Sequence, residues 1–161
     1  MHFEFERQRR MIIRNNDLQE PEIQQLLQEH LHSMTRHSPS ESIHALDLEA
    51  LRRPEIAFWT AWEGAELLGC GALQELDSRH GELKSMRTAR PHLRKGVARA
   101  VLDHMIGEAR RRGYARLSLE AASMQAFAPA HQLYLSRGFS YCEPFAPYVP
   151  DPYSAFMTKL P

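Results

Sequence analysis

Leu93-Arg94-Lys95-Gly96-Val97-Ala98 decides the fold. It follows a strand-like run, Glu82–Thr88, and a proline- and arginine-containing loop over residues 89–96. It then opens the strongest helical pattern in the chain. Val97, Val101, Met105 and Ala109 make one apolar stripe, with Ala98, Leu102 and Ile106 one row over. The helix is predicted over Val97–Arg112, and Gly113 suits its C′ position. Gly96 at the entry lets the backbone approach a ligand closely. The first amides of a helix have no internal partners, and with the helix dipole they form an anion site. Arg94, Lys95 and Arg99 add positive charge around it. A phosphate-bearing ligand is the natural occupant. A P-loop is excluded because Gly-x-x-x-x-Gly-Lys-Ser/Thr is absent, and a dinucleotide fingerprint because Gly-x-Gly-x-x-Gly is absent.

Around this loop, short elements alternate. Residues 11–14 read as a strand. From Pro21 a helix carries Ile23, Leu26, Leu27 and Leu31 on one face. Residues 35–42 are loop-like, and Leu46–Arg53 is a short helix with Asp47 as cap and Pro54 as stop. Ile56–Trp62, Leu67–Leu76 and Glu82–Thr88 form a meander joined by tight turns. Gly69 and Gly71 inside the second of these strands mark close packing or a bulge. Arg116–Glu120 alternates as a strand, and Ala128–Arg137 is a helix ending at Gly138. Phe139–Cys142 and Ala155–Leu160 are further strands, separated by a proline-rich loop. The order predicts a mixed α/β (α+β) domain over residues 11–161, with a mostly antiparallel twisted sheet of six to seven strands and about four helices. Residues 1–10 are expected to be a disordered extension.

The chain has 161 residues, with 20 Lys+Arg and 20 Asp+Glu. That length supports a core without disulfides. The neutral sum hides a distribution. Residues 1–83 hold 8 basic and 15 acidic residues, residues 84–116 hold 10 and 2, and residues 117–161 hold 2 and 3. The basic stretch surrounds the Gly96 loop, while Arg110–Arg112 read as helix-end charges. Nucleic-acid binding is not expected, since no docking motif is present and Tyr114 is the stretch's one aromatic. The first ten residues contain no apolar signal region, and no run approaches a membrane span. Cys70 and Cys142 sit in no metal or CxxC spacing, so two reduced thiols in the cytoplasm is the plain reading. The nine histidines form no metal motif, so no metal is expected.

With these residues in view, the sequence resembles the GNAT superfamily of acyl-CoA-dependent N-acyltransferases. Gly96 and Ala98 match the last positions of the family's Gln/Arg-x-x-Gly-x-Gly/Ala loop, whereas Leu93 stands where Gln or Arg is usual. Ile13-Arg14 followed by Asp17 resembles the first strand and turn. Leu133-Tyr134-Leu135-Ser136-Arg137-Gly138-Phe139 resembles the family's Leu-Tyr-x-x-x-Gly-Phe segment. Phe127 occupies a position where the family often has Asn. A closer resemblance is to small bacterial members with the strand Glu82-Leu83-Lys84-Ser85-Met86-Arg87 and the ending Asp151-Pro152…Phe156-Met157-Thr158. Those relatives carry Glu-Thr-Gly-Ser where this chain has Glu120-Ala121-Ala122-Ser123, a change expected to alter the acceptor pocket.

The resemblance implies transfer of acetyl from acetyl-CoA to a primary amine by direct attack in a ternary complex. The cofactor-binding set it implies is Met86, Arg87 and Thr88 on the strand and Leu93, Arg94, Lys95, Gly96, Val97, Ala98 and Arg99 in the loop. Main-chain groups of Met86 and Thr88 would hold the pantetheine arm and polarise the thioester carbonyl. Tyr134 is the candidate general acid for the thiolate, and Glu82 or Glu120 the candidate proton acceptor. His30, Met34, Ser38, His44 and Ser123 are candidate acceptor-pocket residues. Trp59 and Trp62 read as packing residues. The alternative is a non-catalytic acyl-CoA-binding regulator on the same fold. A small-molecule or peptide amine is the expected partner, and a homodimer is compatible with the exposed C-terminal strands.

Overall fold

The computed structural model describes residues 11–16, 18–37, 48–123, 125–145 and 147–161, with residues 33–37 described by backbone alone. The elements are β1 (Met11–Asn15), α1 (Pro21–His37), α2 (Leu48–Leu51), β2 (Ile56–Glu63), β3 (Glu66–Asp77), β4 (His80–Thr88), α3 (Val97–Arg111), β5 (Arg116–Ala122), α4 (Ala128–Ser136), β6 (Ser140–Tyr141) and β7 (Ser154–Lys159). Short 3-10 turns precede α3 and α4, at Arg90–His92 and Gln125–Phe127. The seven strands form one sheet in the order β1-β2-β3-β4-β5-β7-β6. Every pairing is antiparallel except β4 with β5. A parallel pair needs a long crossover, and α3 supplies it.

Alternation along the strands separates two cores. On β2, Trp59 and Ala61 join the α3 side, with Leu73, Leu83, Val101, Met105, Leu117, Leu119 and Met157. Phe58 and Trp62 join the opposite side, where Ile23, Leu26 and Leu27 of α1 cover Cys70 and Ala72. Both tryptophans are buried, so the packing role expected of them holds. The stripe on α3 also holds: Val97, Val101, Leu102, Met105, Ile106 and Ala109 are all buried. Gly113 adopts φ +78°, and Tyr114 N–H donates back to the Ala109 carbonyl, which closes the helix end. Arg111 and Arg112 pair with Glu108 there.

Sequence boundaries move by a residue or two. β4 starts at His80 rather than Glu82, because the turn after Asp77 is tight. The last helix stops at Ser136, and β6 is two residues long. The expected N-terminal extension (residues 1–10) and the Asp47 cap lie outside the described residues. No described helix is long and apolar enough to cross a membrane.

Candidate active site

The site arises where two parallel strands part. β4 and β5 pair only from His80↔Arg116 to Leu83↔Leu119. Beyond that point Glu120–Ala122 pair with β7, and the rest of β4 pairs with β3. A gap opens through the sheet, edged by backbone from both strands. A bulge in β4 steers the parting. Cys70 faces Arg87 and Ala72 faces Lys84, so Ser85 and Met86 together oppose Gly71. Ser85 takes the left-handed φ of +55°, a conformation that costs free energy in a non-glycine residue. Its carbonyl accepts from Cys70 Sγ at 3.3 Å, and its own Oγ is buried without a partner. Gly71 makes the bulge fit. A Cβ there would lie 2.7–2.9 Å from Met105, Met86 and Val101.

The gap holds a cavity of about 110 Å³. Met86, Phe127, Ala130 and Tyr134 line it from the α3 and α4 side. Glu82, Lys84, Glu120, His30 and Tyr148 line it as well. The structure therefore brings Tyr134, Glu82, Glu120, Met86 and His30 together around one opening, although they come from four elements of the chain.

These groups differ in how their polar atoms are satisfied. Glu82 is 2% exposed and is engaged through one oxygen. Its Oε2 accepts from Lys84 Nζ at 3.0 Å and from the Tyr148 hydroxyl at 2.5 Å. Lys84 Nζ also donates to Tyr148 Oη at 2.8 Å. Tyr148 is held in turn by Phe145 and Phe156, with ring centroids 5.1 and 5.5 Å away. Glu120 makes no side-chain hydrogen bond among the described residues. Burial raises its carboxyl to about 7; Lys84 opposes that shift, while Glu82 and Asp151 add to it. Tyr134 is buried, and its phenol is pushed up to about 12 by burial and then by the charge of Glu120. His30 is lowered to about 4 by burial and by Arg87, so it is neutral near pH 7.

Two of these groups were not singled out from sequence. Lys84 lies two residues from Glu82 on the same strand face, a spacing that could have signalled the ion pair. Tyr148 comes from the proline-rich loop, 66 residues from Glu82 in the chain, and no local pattern marks it. Ser123 is an exposed residue whose hydroxyl donates to the Pro152 carbonyl at 2.6 Å; it does not line the cavity. The Met34 side chain, Ser38 and His44 lie outside the described residues.

The loop before α3 keeps its backbone open. Arg94 and Gly96 both take left-handed φ, +65° and +81°. No atom lies within 4 Å of a Cβ built on Gly96, so conformation rather than crowding selects glycine there. No side chain caps α3, and its first turn contains no acidic residue. The amides of Val97, Ala98 and Arg99 therefore present an uncontested positive end. Arg94 and Arg99 are exposed beside it, as is Leu93. Lys95 Nζ lies 3.1 Å from His92 Nδ1, and His92 Nε2 lies 2.8 Å from Glu66. The donor set suits a pyrophosphate: several amides, a helix dipole and exposed guanidinium groups. The strand edges in the gap suit an extended amide-bearing arm leading to the cavity.

Known proteins resemble this chain over most of its length. The model of the Acetyltransferase (GNAT) family matches residues 21–139. The chain is 65% identical over 149 residues to the uncharacterized N-acetyltransferase YsnE of Bacillus subtilis, covering 92% of this chain and 99% of that protein. It is 50% identical over 146 residues to the uncharacterized N-acetyltransferase YedL of Escherichia coli, covering 91% and 92%. A GNAT family acetyltransferase from Elizabethkingia anophelis, solved with acetyl-CoA bound, superposes with a TM-score of 0.68 at 18% identity, covering 94% and 98%.

Proposed function

The chain belongs to the GNAT acetyltransferase family, and on that premise we propose that it transfers acetyl from acetyl-CoA to an amine at the gap between β4 and β5. The single observation that carries this reading is the placement of Glu120 and Tyr134. Both line one cavity, neither side chain has a hydrogen-bond partner among the described residues, and burial raises the Glu120 carboxyl to about 7, where it can take a proton at neutral pH.

Acetyl-CoA supplies the activated thioester. The amides of Arg94 to Arg99 hold its pyrophosphate, and the main chain of Met86 and Thr88 orients the arm and the thioester carbonyl. Main-chain donors at the bulge stabilise the carbonyl oxygen as it gains negative charge. Glu120 accepts a proton from the amine, directly or through water. A carboxyl with a pKa near 7 is matched to that task at neutral pH. Glu82 is already committed to Lys84 and Tyr148, which leaves Glu120 as the free carboxylate and makes Glu82 an anchor. Tyr134 donates its proton to the departing sulfur. Its phenol is held weakly acidic partly by the charge of Glu120, so neutralisation of Glu120 strengthens the phenol as a donor in the same reaction. We place the reaction in the cytoplasm, where Cys70 and Cys142 stay reduced.

The test is CoA release by purified protein across a panel of amines, with Tyr134→Phe beside the wild type. We expect kcat to fall by about a hundredfold in the variant, the scale of lost general acid catalysis, while acetyl-CoA affinity is retained. A variant as fast as wild type overturns the acid assignment. Acetyl-CoA binding with no turnover of any amine favours the non-catalytic regulator.

A further inference from the structure

Arg87 carries a positive charge that no described residue answers. Its main chain lies on β4 opposite Cys70, and its side chain reaches the α1 side of the sheet. There it lines a second cavity of about 810 Å³, between α1, the β2–β3 turn and residues 87–91. Its Nε is buried and has no hydrogen-bond partner, and the guanidinium forms no ion pair among the described residues. The carboxylates around this cavity do not answer it. Glu22 and Glu29 are exposed on α1, and Glu66 contacts His92. A buried donor left unpaired is costly, and a bound partner would recover that cost. The planar fork of a guanidinium fits a carboxylate, with two parallel hydrogen bonds. The two cavities adjoin along α1 and β4: His30 and Met86 line the gap with Glu120, and their chain neighbours Glu29 and Arg87 line the second cavity.

We propose that the acceptor is an amine that also carries a carboxylate, held with the carboxylate on Arg87 and the amine directed past His30 toward Glu120. The assignment rests on the acetyl-transfer reading above, and it narrows the acceptor to the amino-acid class. The carboxylate of Glu120 and the guanidinium of Arg87, lining adjoining cavities, complement the two ends of a zwitterion.

The test compares free α-amino acids with their C-terminal amides, which keep the amine and lose the carboxylate. CoA release is followed for wild type, Arg87→Gln and Arg87→Lys. In wild type the acid should exceed its amide in kcat/KM by tenfold or more, carried by KM. Arg87→Gln should reduce that ratio to within threefold, and Arg87→Lys should restore part of it. Equal use of acids and amides by wild type overturns the proposal while leaving acetyl transfer intact, as does a ratio that survives in Arg87→Gln. If no amine is acetylated, the acetyl-transfer reading fails, and thermal shift still decides the carboxylate site. Acids should raise the Tm of wild type more than amides do, and should not raise that of Arg87→Gln. An equal shift in both proteins, or none in wild type, overturns it.

Discussion

Replacing Glu120 with glutamine should alter rate and stability in opposite directions. The carboxyl is raised from 4.5 to about 7, chiefly by burial. As a proton acceptor it must be ionised, so a carboxylate with that pKa is about 9% ionised at pH 6 and about 91% at pH 8. Wild-type kcat/KM should therefore climb about tenfold across that interval through an acid limb near pH 7. Glu120→Gln should lose the limb and about two to three orders of magnitude in kcat near pH 8. The stability effect follows from linkage. Between the unfolded value of 4.5 and the folded value of about 7, the folded state binds more protons than the unfolded state. Stability then falls as pH rises through that window. The full shift corresponds to about 3 kcal/mol above pH 7. Glu120 is only partly buried, and solvent screening reduces the effect to about 1–2 kcal/mol. Glutamine has no such cost, so the variant should be more stable than wild type at pH 8 and about equal at pH 4.5. Initial rates of CoA release and urea melts at both pH values read the two effects. A variant that keeps the acid limb, or one that is less stable than wild type at pH 8, refutes the reasoning.

Two further changes probe the supports of the site. Lys84→Met removes the partner of a carboxylate that is 2% exposed. It should destabilise the fold by about 3 kcal/mol, the low end for a broken buried pair, because Tyr148 still donates to Glu82. Lys84 also holds Glu120 down, so the acid limb should move to higher pH; an unmoved limb would separate the two groups. Gly71→Ala places a methyl group 2.7–2.9 Å from Met105, Met86 and Val101 at the bulge. It should cost about 1–3 kcal/mol by overpacking, read as a lower Tm, and raise KM for acetyl-CoA.

Much of the fold was legible because periodicity survives in single elements. The stripe from Val97 to Ala109 specifies α3 by itself, and the tight turns after Trp62 and Leu76 specify the meander. The loop at Gly96 was legible too, since a glycine and three cations at a helix entry carry their chemistry locally. The gap was not. It depends on where β4 stops pairing with β5, which follows from the two-for-one register opposite Gly71 rather than from either strand alone. The choice between Glu82 and Glu120 was equally hidden, because Tyr148 reaches Glu82 across 66 residues. Arg87 read as part of the cofactor strand, and only the burial of its Nε separates the side chain from the main chain in function.

The most direct measurement is a crystal structure of this protein with acetyl-CoA. The pyrophosphate should sit on the amides from Arg94 to Arg99, the arm should lie between β4 and β5, and the sulfur should be within hydrogen-bond reach of Tyr134 Oη. A thioester bound away from the gap, or a Tyr134 hydroxyl turned from the sulfur, would contradict the account.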